Sequence, residues 1–588
     1  MKVTFLQNIP DNIDKPFAVY QYDEQLAGHP KYINVKGIVE LNQRDWLDQV
    51  QYSHSQLSKR FLLYTRWWWV TPMSRLDARP WGQEYLFKPF FFAAAILEWM
   101  RSQCNVGEVL LIGCNPLVAM YLREFKGDLV INDRKRIPCL LFLIFQTSKQ
   151  ALLAVLKMFR DALHILRYHV FQKGYFIRSQ LLVLYELFSN MPLIEGQQYY
   201  YTDVFNSLNN EGNKISCGCI EGSGYQVKKF KQEVDSSTFF LLSNITLGGL
   251  VMSLLINLYL IILTGFIASR KIHCVLGHCT SLYFWLTYLF HGLGRISCLK
   301  EICSYKALGT ILRQHKYRFI IYPYEEKGIE RAILFACQQN NISTIGYTPH
   351  PQHHLALALR DVHAPFSPKP SNYAVCGAKY VDYFVSWCKK EPDSIHIWGS
   401  GKSFKKTFAI REISRNQLSV LLLISHPNEL KVFYSWLRAE QRISRNITYL
   451  LRRYKAVNYT MFSNELTSLM KDFNCVKEIH GSLLDDLSHC DLATFCGTSA
   501  GPVAVNHGRL AIHIALDDFF YINPCFDDLG VMLSCKSAKQ FADYLDEICS
   551  MDKDSLVRLY KKQRNFVEQI FSPIQAGTIE NMCNETRV

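Results

Sequence analysis

The sequence predicts an α/β protein built largely of doubly wound parallel sheets. From residue 418 onward, short apolar runs alternate with helical patterns, and such alternation is typical of parallel strands joined by crossover helices. Residues 319–322 are apolar or aromatic at every position and end at Pro323, which indicates a parallel strand covered on both faces. A helical pattern and a second short strand at 343–347 follow it.

The chain of 588 residues is too long for one hydrophobic core, because domains usually contain roughly 100–200 residues. We predict three units: an additional N-terminal α/β region at 1–175, an α/β domain at 176–400, and a second α/β domain with closing helices at 401–588. The stretch 365–402 has a strand-and-helix pattern at 373–387 and a strand at 395–398, between a proline-rich bend and a glycine-rich turn. It is interpreted as the interdomain linker, where a hinge would lie.

The N-terminal region is rich in aromatic residues, including three consecutive tryptophans at 67–69. We expect them in a core, with a carbohydrate-stacking surface as the alternative. A strand–helix–strand pattern follows at 109–112, 117–124 and 129–132. Its turn, GCNP, lacks the glycines of a dinucleotide fingerprint, but Asp133 occupies the place of a ribose-binding acid. The unit is therefore interpreted as a degenerate scaffold, or alternatively as a nucleotide or S-adenosylmethionine site.

The net charge of +14 suits an anionic membrane or a phosphorylated ligand. No basic tract accompanies the aromatic signature of a nucleic-acid module, so we expect no nucleic-acid partner. The N-terminus lacks the apolar core of a signal peptide, which predicts a cytoplasmic protein. The 19 cysteines include no CxxC pair and are interpreted as reduced, buried thiols.

Residues 239–268 contain no charged residue and are long enough to cross a bilayer, which needs about 20 apolar residues. Polar residues and glycines interrupt the first half, and basic residues flank both ends. Three interpretations stay open: a buried or interfacial helix pair, monotopic attachment to the inner membrane, and a true span.

Polar side chains are predicted at the carboxyl ends of two strands before the presumed linker. Glu325 follows the first strand, and Glu330 and Arg331 lie in the next helix. His350, His353 and His354 follow the second strand. Ligands of open α/β sheets bind beyond the carboxyl ends of the strands, so these residues are expected to form one site. A helix-surface ion pair is the alternative for Glu330 and Arg331. No Cys or acid has a spacing that matches the histidines, so no metal is expected.

The last domain carries two further motifs of this kind. His426 and Pro427 directly follow the strand LLLI, and Gly497, Thr498 and Ser499 follow LATFC and open a helix. Hydroxyl groups and backbone N–H groups at such positions hold phosphates. The alternative is that Thr498 or Ser499 is only a helix N-cap. The strands predicted in this domain include one at 458–462.

These motifs resemble those of known enzymes. From about residue 181 onward the chain looks like a GT-B glycosyltransferase, with two Rossmann-like domains. YPYEEKGIERAI and GYTPHPQHH resemble the bacterial surface-carbohydrate biosynthesis family, although its tryptophan is Ile329 here. Its glutamine–histidine pair corresponds to Pro349 and His350 or to Gln352 and His353. SHP and GTS resemble the motifs of bacterial sialyltransferases and Kdo transferases.

The resemblance implies an inverting, metal-independent transferase of surface polysaccharide or lipopolysaccharide assembly, without a cofactor. The donor would be a CMP-linked nonulosonic acid or Kdo, and the acceptor a glycan or lipid-linked glycan. Glu325 is the preferred general base, with Glu330 and His350 as further catalytic candidates and Arg331, His353 and His354 near the acceptor. His426, Pro427 and the Gly497–Ser499 turn would bind the nucleotide. Alternatives are a UDP- or GDP-sugar donor, a methyltransferase and a non-catalytic membrane scaffold.

Overall fold

In a computed structural model, the strands that precede the candidate site residues belong to two parallel sheets. Another parallel sheet comes earlier in the described part of the chain, and the three are numbered in chain order below. The structure describes residues 2–6, 15–19, 29–65, 67–68, 71, 84–103, 108–112, 114, 116–125, 130–132, 139–171, 181–187, 193–194, 197–198, 215–221, 238–268, 273–276, 279–281, 283–295, 298–350, 356–360, 368–401, 413, 418–440, 443, 446–453, 463–516, 523, 531–575, 577–578 and 581.

The first sheet has four parallel strands in the order β2-β3-β1-β4. The elements of this region are β1 (Lys2–Leu6), β2 (Phe17–Val19), α1 (Val35–Leu62), α2 (Glu84–Ser102), β3 (Glu108–Ile112), α3 (Pro116–Phe125), β4 (Val130–Asn132) and α4 (Cys139–Phe171). The predicted strand–helix–strand pattern is present, but β1 lies between its two strands. Asp133 lies outside the described residues.

The aromatic side chains of this region pack inward. Trp68 is completely buried and stacks on Phe61 with ring centroids 4.0 Å apart. Trp67 is packed against the core and meets the edge of Tyr305. The interpretation as a core residue is confirmed for Trp68, because a buried ring cannot stack on a carbohydrate, whereas Trp67 is only half-buried. Trp69 lies outside the described residues.

The second sheet has seven parallel strands in the order β15-β14-β13-β12-β5-β8-β9. Its region contains β5 (Leu181–Leu187), β6 (Leu193–Ile194), β7 (Gln197–Gln198), β8 (Ile215–Glu221), β9 (Thr238–Phe240), α5 (Leu247–Ala268), β10 (Cys274–Leu276), β11 (Cys279–Ser281), α6 (Tyr283–Arg295), α7 (Leu299–Gln314), β12 (Phe319–Pro323), α8 (Gly328–Gln339), β13 (Ser343–Thr348), β14 (Asn372–Val375), α9 (Ala378–Asp382) and β15 (Ile395–Ile397). Every residue of β12 is buried, as the apolar run predicts.

Two expectations about this region are wrong. The stretch 365–402 is not a linker, because β14 and β15 extend the second sheet at one edge. The apolar stretch 239–268 is not a helix pair either: Phe239 and Phe240 belong to β9 at the opposite edge, and a short 3₁₀ turn at Leu241–Asn244 precedes the single helix α5. A strand and a helix both accept continuous apolar sequence, so composition could not separate them.

Helix α5 is long and apolar. By length and composition, Leu247–Ile267 is the one helix in the described part of the chain that could cross a membrane, with a mean hydropathy of 2.4. Of its most apolar window, 39% is buried inside the protein. Core helices of soluble proteins pass the same test when they are mostly buried, whereas less than half of this helix is buried.

The third sheet has six parallel strands in the order β18-β17-β16-β19-β20-β21. Its region contains β16 (Leu418–Ile424), α10 (Pro427–Ala439), β17 (Ile447–Arg453), α11 (Ser463–Asp472), β18 (Val476–Glu478), α12 (Leu483–Ser488), β19 (Leu492–Phe495), α13 (Ala500–Asn506), β20 (Leu510–Ile514), β21 (Leu533–Cys535), α14 (Ala538–Ser550) and α15 (Lys553–Ile570). The expected strand at 458–462 lies outside the described residues. One of the two neighbours of β16 is β17, a strand that was not predicted.

Counted from its first strand, each of the last two sheets begins with the order 3-2-1-4-5-6, which is the strand order of a Rossmann fold. The prediction of two Rossmann-like units after an N-terminal α/β region is therefore confirmed. The boundaries at 175 and 400 stay predictions. In such a fold the ligand site lies where the strand order reverses, which is between β5 and β12 in the second sheet and between β16 and β19 in the third.

The closing helix α15 ties the last two sheets together. The buried amide of Gln563 accepts from the N–H of Ala511 and donates to its carbonyl oxygen, in β20. Beyond the helix, Ser572 donates its N–H to Cys376 and accepts from Ser400, both of which follow strands of the second sheet.

Candidate functional site

Glu325 and His350 meet at the carboxyl edge of the second sheet. They follow β12 and β13, which are adjacent and parallel, with Pro323 opposite Tyr347. His350 Nε2 lies 2.8 Å from Glu325 Oε1, and Lys327 Nζ lies 3.3 Å from Oε2. A carboxylate only accepts hydrogen bonds, so His350 Nε2 is the donor. The structure thus brings together a carboxylate and an imidazole that the sequence placed on two different strands.

Glu330 supports the turn that carries Glu325. Its side chain is buried, and Oε2 accepts from the backbone N–H groups of Glu325, at 2.7 Å, and Lys327, at 3.1 Å. This is the carboxylate half of a capping box at the start of α8. In this arrangement Glu330 fixes the position of Glu325 and is directed at the backbone.

A buried charged network lies beside this turn. Arg331 donates from Nε to Glu326 Oε2 at 2.6 Å, and the Tyr324 hydroxyl donates to Glu326 Oε1 at 2.5 Å. Lys390 Nζ donates to the Tyr324 hydroxyl at 3.2 Å. The alternative of a helix-surface ion pair between Glu330 and Arg331 is wrong, because both are almost fully buried and Arg331 pairs with Glu326.

Glu326 has a left-handed backbone conformation, with φ of 60°. Non-glycine residues adopt it at a cost of about 1–3 kcal/mol when the surroundings impose it. Here the salt bridge to Arg331 and the hydroxyl of Tyr324 impose it, and the result is that Glu326 turns inward while Glu325 stays half-buried.

The histidine cluster is only partly described. His353 and His354 lie outside the described residues, so their predicted roles stay predictions. Among the residues that the structure does describe, no group of three or more His, Cys, Asp or Glu side chains could hold a metal ion.

The two motifs of the third sheet lie on either side of its switch point. His426 follows β16 and the turn Gly497–Ser499 follows β19, and these strands are neighbours. The motif residues are half-buried, apart from the buried Pro427 in the first turn of α10. His426 Nδ1 accepts from the N–H of Asn428 at 3.2 Å, which places the ring proton on Nε2 in neutral histidine.

Both motifs also act as helix caps. His426 is the N-cap of α10, and the Thr498 hydroxyl accepts from the N–H of Ala500 at 3.2 Å, beside the N-cap Ser499 of α13. The capping role proposed as the alternative is therefore present. A hydroxyl that accepts one hydrogen bond still has its proton to donate, so capping and anion binding are compatible for Thr498.

A buried carboxylate joins the two motifs. Glu429 Oε2 accepts from the N–H groups of Ser425, at 2.6 Å, and His426, at 3.2 Å. Its Oε1 accepts from the Ser425 hydroxyl at 2.7 Å and from the N–H of Gly497 at 3.3 Å. Burial raises the pKa of Glu429, while these hydrogen bonds oppose the shift. One side chain therefore fixes the spacing between the loops that follow β16 and β19.

Glu326 was placed beside Glu325 at the end of the strand but was given no role, and Lys390 and Glu429 were missed. For Glu429 a signal existed, because a glutamate three residues after an N-cap is the spacing of a capping box. For Glu326 and Lys390 none existed: both belong to ordinary-looking charged stretches, and only the tertiary fold buries them.

The strand orders and the polar clusters at the strand ends define an α/β protein with two Rossmann-like domains. No protein-family model and no curated protein matches the sequence. Among solved structures it is similar to the lipopolysaccharide outer core galactosyltransferase WaaB, with 7% identity, a TM-score of 0.39, and 69% of this chain and 100% of that chain covered.

The chain is also similar to MurG of Acinetobacter baumannii, with 10% identity, coverage of 69% and 99%, and a TM-score of 0.39. For the N-terminal domain of trehalose-6-phosphate phosphatase from Candida albicans, the identity is 10%, the coverage 69% and 98%, and the TM-score 0.41. These TM-scores are too low to define a shared overall fold, so the fold assignment rests on the two strand orders.

Proposed function

We propose that the protein is an inverting glycosyltransferase of bacterial surface polysaccharide or lipopolysaccharide assembly, which transfers a sugar from a nucleotide donor to a glycan or lipid-linked glycan. The observation that carries the proposal is the Glu325–His350 pair at the carboxyl edge of the second sheet. The motif resemblance supports the same class. We further propose that the protein works in the cytoplasm at the inner membrane.

Glu325 is the general base of this proposal. The acceptor hydroxyl gives its proton to the Glu325 carboxylate while its oxygen attacks the anomeric carbon of the donor sugar. The bond from that carbon to the phosphate oxygen breaks, and the electron pair leaves with the nucleotide. His350 and Lys327 hold the carboxylate on either side, and Glu330 holds its backbone, so all three are positioning residues.

The third sheet would bind the nucleotide. His426 Nε2 and the hydroxyls of Thr498 and Ser499 are suitable donors to the phosphate oxygens that gain charge as the sugar leaves. The buried Glu429 sets the distance between these donors by joining the loops that carry them. In this proposal these hydrogen-bond donors stabilise the charge on the leaving phosphate, and the reaction uses no metal and no cofactor.

The proposed donor is supported by the SHP and GTS motifs and by the net charge. Their resemblance to sialyltransferases and Kdo transferases favours CMP linked to a nonulosonic acid or Kdo, and the positive net charge suits an acidic sugar. A UDP- or GDP-sugar would fit the same strand ends. A binding competition among free CMP, UDP and GDP distinguishes between these possible donors.

The test is Glu325→Gln, which keeps the shape of the side chain and removes its basicity. Loss of a general base lowers turnover by about 10²- to 10⁴-fold, while the affinity for the nucleotide stays unchanged, because Glu325 belongs to the other domain. The matched control is Glu391→Gln, at an exposed glutamate of the same domain. If Glu325→Gln keeps full transfer activity, Glu325 is not the base.

A further inference from the structure

Helix α5 carries its polar side chains on the buried face and only apolar side chains on much of its outward face. Ser253, Asn257 and Thr264 are completely buried together with apolar residues such as Leu260 and Leu263, whereas a second set of apolar side chains faces outward. Leu247 and Ile262 are 64% and 65% exposed. A helix on a water-facing surface shows the opposite distribution, with apolar residues toward the core and polar ones toward solvent.

The buried polar side chains fix this orientation. Asn257 Oδ1 accepts from the N–H of Cys298 at 3.1 Å, at the start of α7. Ser253 and Thr264 donate to carbonyl oxygens one turn back in α5 itself, so their hydroxyls are satisfied inside the protein. Because an amide of this helix is bonded to the protein core, α5 cannot rotate its apolar face inward without breaking that bond.

The outward face of α5 is a continuous apolar stripe. Leu247, Val251, Leu255, Leu258, Ile262 and Phe266 recur at intervals of three or four residues, and each is exposed. At about 100° per residue this spacing keeps them on one side of the helix. The helix contains no charged residue in its 22 positions.

Helix α4 packs beside α5 and continues this surface. Leu152, Leu156, Phe159 and Leu163 are exposed along one stripe of α4. The acid of this helix, Asp161, is buried and pairs with Arg160 at 3.3 Å, whereas Lys149 and Arg160 are themselves exposed next to the stripe. The two helices therefore present an apolar surface with basic residues at its border and no exposed acid in either helix.

We propose that the outward faces of α4 and α5 form a membrane-docking surface, with both helices lying in the plane of one anionic leaflet. Embedded apolar side chains and bordering basic residues are the combination that binds such an interface. A single transmembrane span is disfavoured because the polar side of α5 is bonded to α7. A second copy of the chain is disfavoured because pairing of these surfaces would bring like basic charges together.

Flotation with lipid vesicles tests this surface with the full-length protein. Vesicles of equal parts phosphatidylcholine and phosphatidylglycerol should carry the protein, and vesicles of phosphatidylcholine alone should carry less. The double variant Leu255→Asp/Ile262→Asp places two charges in the apolar stripe, and we expect binding to fall by at least about tenfold. Leu484→Asp, at an exposed leucine of the third-sheet domain, is the matched control and should bind like the wild type.

Three outcomes would overturn the proposal. The wild type could stay unbound with both vesicle types, the double variant could float as well as the control, or vesicle-free wild type could be a dimer that the double variant dissociates, which would assign the surface to a second copy. Unchanged thermal unfolding of the double variant shows that it is folded. The measurement uses no nucleotide, so its failure would leave the proposed transferase activity standing.

Discussion

The substitution Glu429→Gln tests whether one buried carboxylate holds the proposed nucleotide loops together. Each oxygen of Glu429 accepts two hydrogen bonds, from Ser425 N–H and His426 N–H on one side and from Ser425 Oγ and Gly497 N–H on the other. Glutamine keeps one acceptor oxygen and turns the other into an NH₂ group, which faces N–H or O–H donors.

The magnitude follows from that count. Glutamine fits best with its NH₂ group beside the Ser425 hydroxyl, which can accept from it, so the bond from the Gly497 N–H is lost and the others are made to a neutral acceptor. A bond to a charged acceptor contributes about 1.5–3 kcal/mol, so the free energy of unfolding of the third-sheet domain should fall by about 2 kcal/mol or more. The loops should also separate, and a loss of about 1.4 kcal/mol in nucleotide binding would raise Kd about tenfold.

Urea unfolding and calorimetric nucleotide titration of the same preparation measure both effects. Glu547→Gln, at an exposed glutamate of α14, is the control for the chemical change alone and should match the wild type. If Glu429→Gln leaves both stability and nucleotide affinity unchanged, the two loops are not held by Glu429.

Two further predictions concern buried ionisable groups of the second and third sheets. Arg331→Met leaves the carboxylate of Glu326 buried without its cation and should destabilise the protein by about 3–5 kcal/mol in urea unfolding, whereas the double variant Arg331→Met/Glu326→Leu should recover most of that loss. Burial lowers the pKa of His513 from 6.5 to about 4, so the unfolded chain binds a proton that the folded chain does not. Stability should therefore fall as the pH drops from 6.5 to about 4, by about 3 kcal/mol from this group, and unfolding curves of His513→Asn should lack that part of the pH dependence; an equal slope in both proteins would exclude His513 as its source.

The sequence predicts the strands that carry the two sites because buried parallel strands are almost continuously apolar. β12, β16 and β19 have this composition, and their carboxyl ends were predicted to within one residue. β17 was missed because its burial alternates and it ends in Arg452 and Arg453, as a half-exposed strand does. Phe239 and Phe240 were assigned to a helix because β9 and α5 form one apolar run.

The adjacency of the two strands and the shared site of Glu325 and His350 were predicted, but the hydrogen bond between the two side chains was not. Two consecutive glutamates gave no indication that Glu326 turns inward and Glu325 does not. That choice depends on the positive φ of Glu326 and on Arg331, which the fold supplies. The orientation of α5 was likewise not predicted. Its polar residues were interpreted only as interruptions of an apolar stretch, because the sequence does not show which groups they bond to.

The central claim is that the third-sheet domain binds a nucleotide at His426 and the Gly497–Ser499 turn, and calorimetric titration with CMP, UDP, GDP and S-adenosylmethionine tests it most directly. His426→Ala removes the Nε2 donor together with a helix cap, so Ser537→Ala, which removes only the cap of α14, is the control. The account predicts that CMP binds best, that His426→Ala weakens it, and that Ser537→Ala and Glu325→Gln do not. Tighter binding of UDP or GDP would replace the donor, and binding of S-adenosylmethionine alone, or of none of the four, would contradict the account.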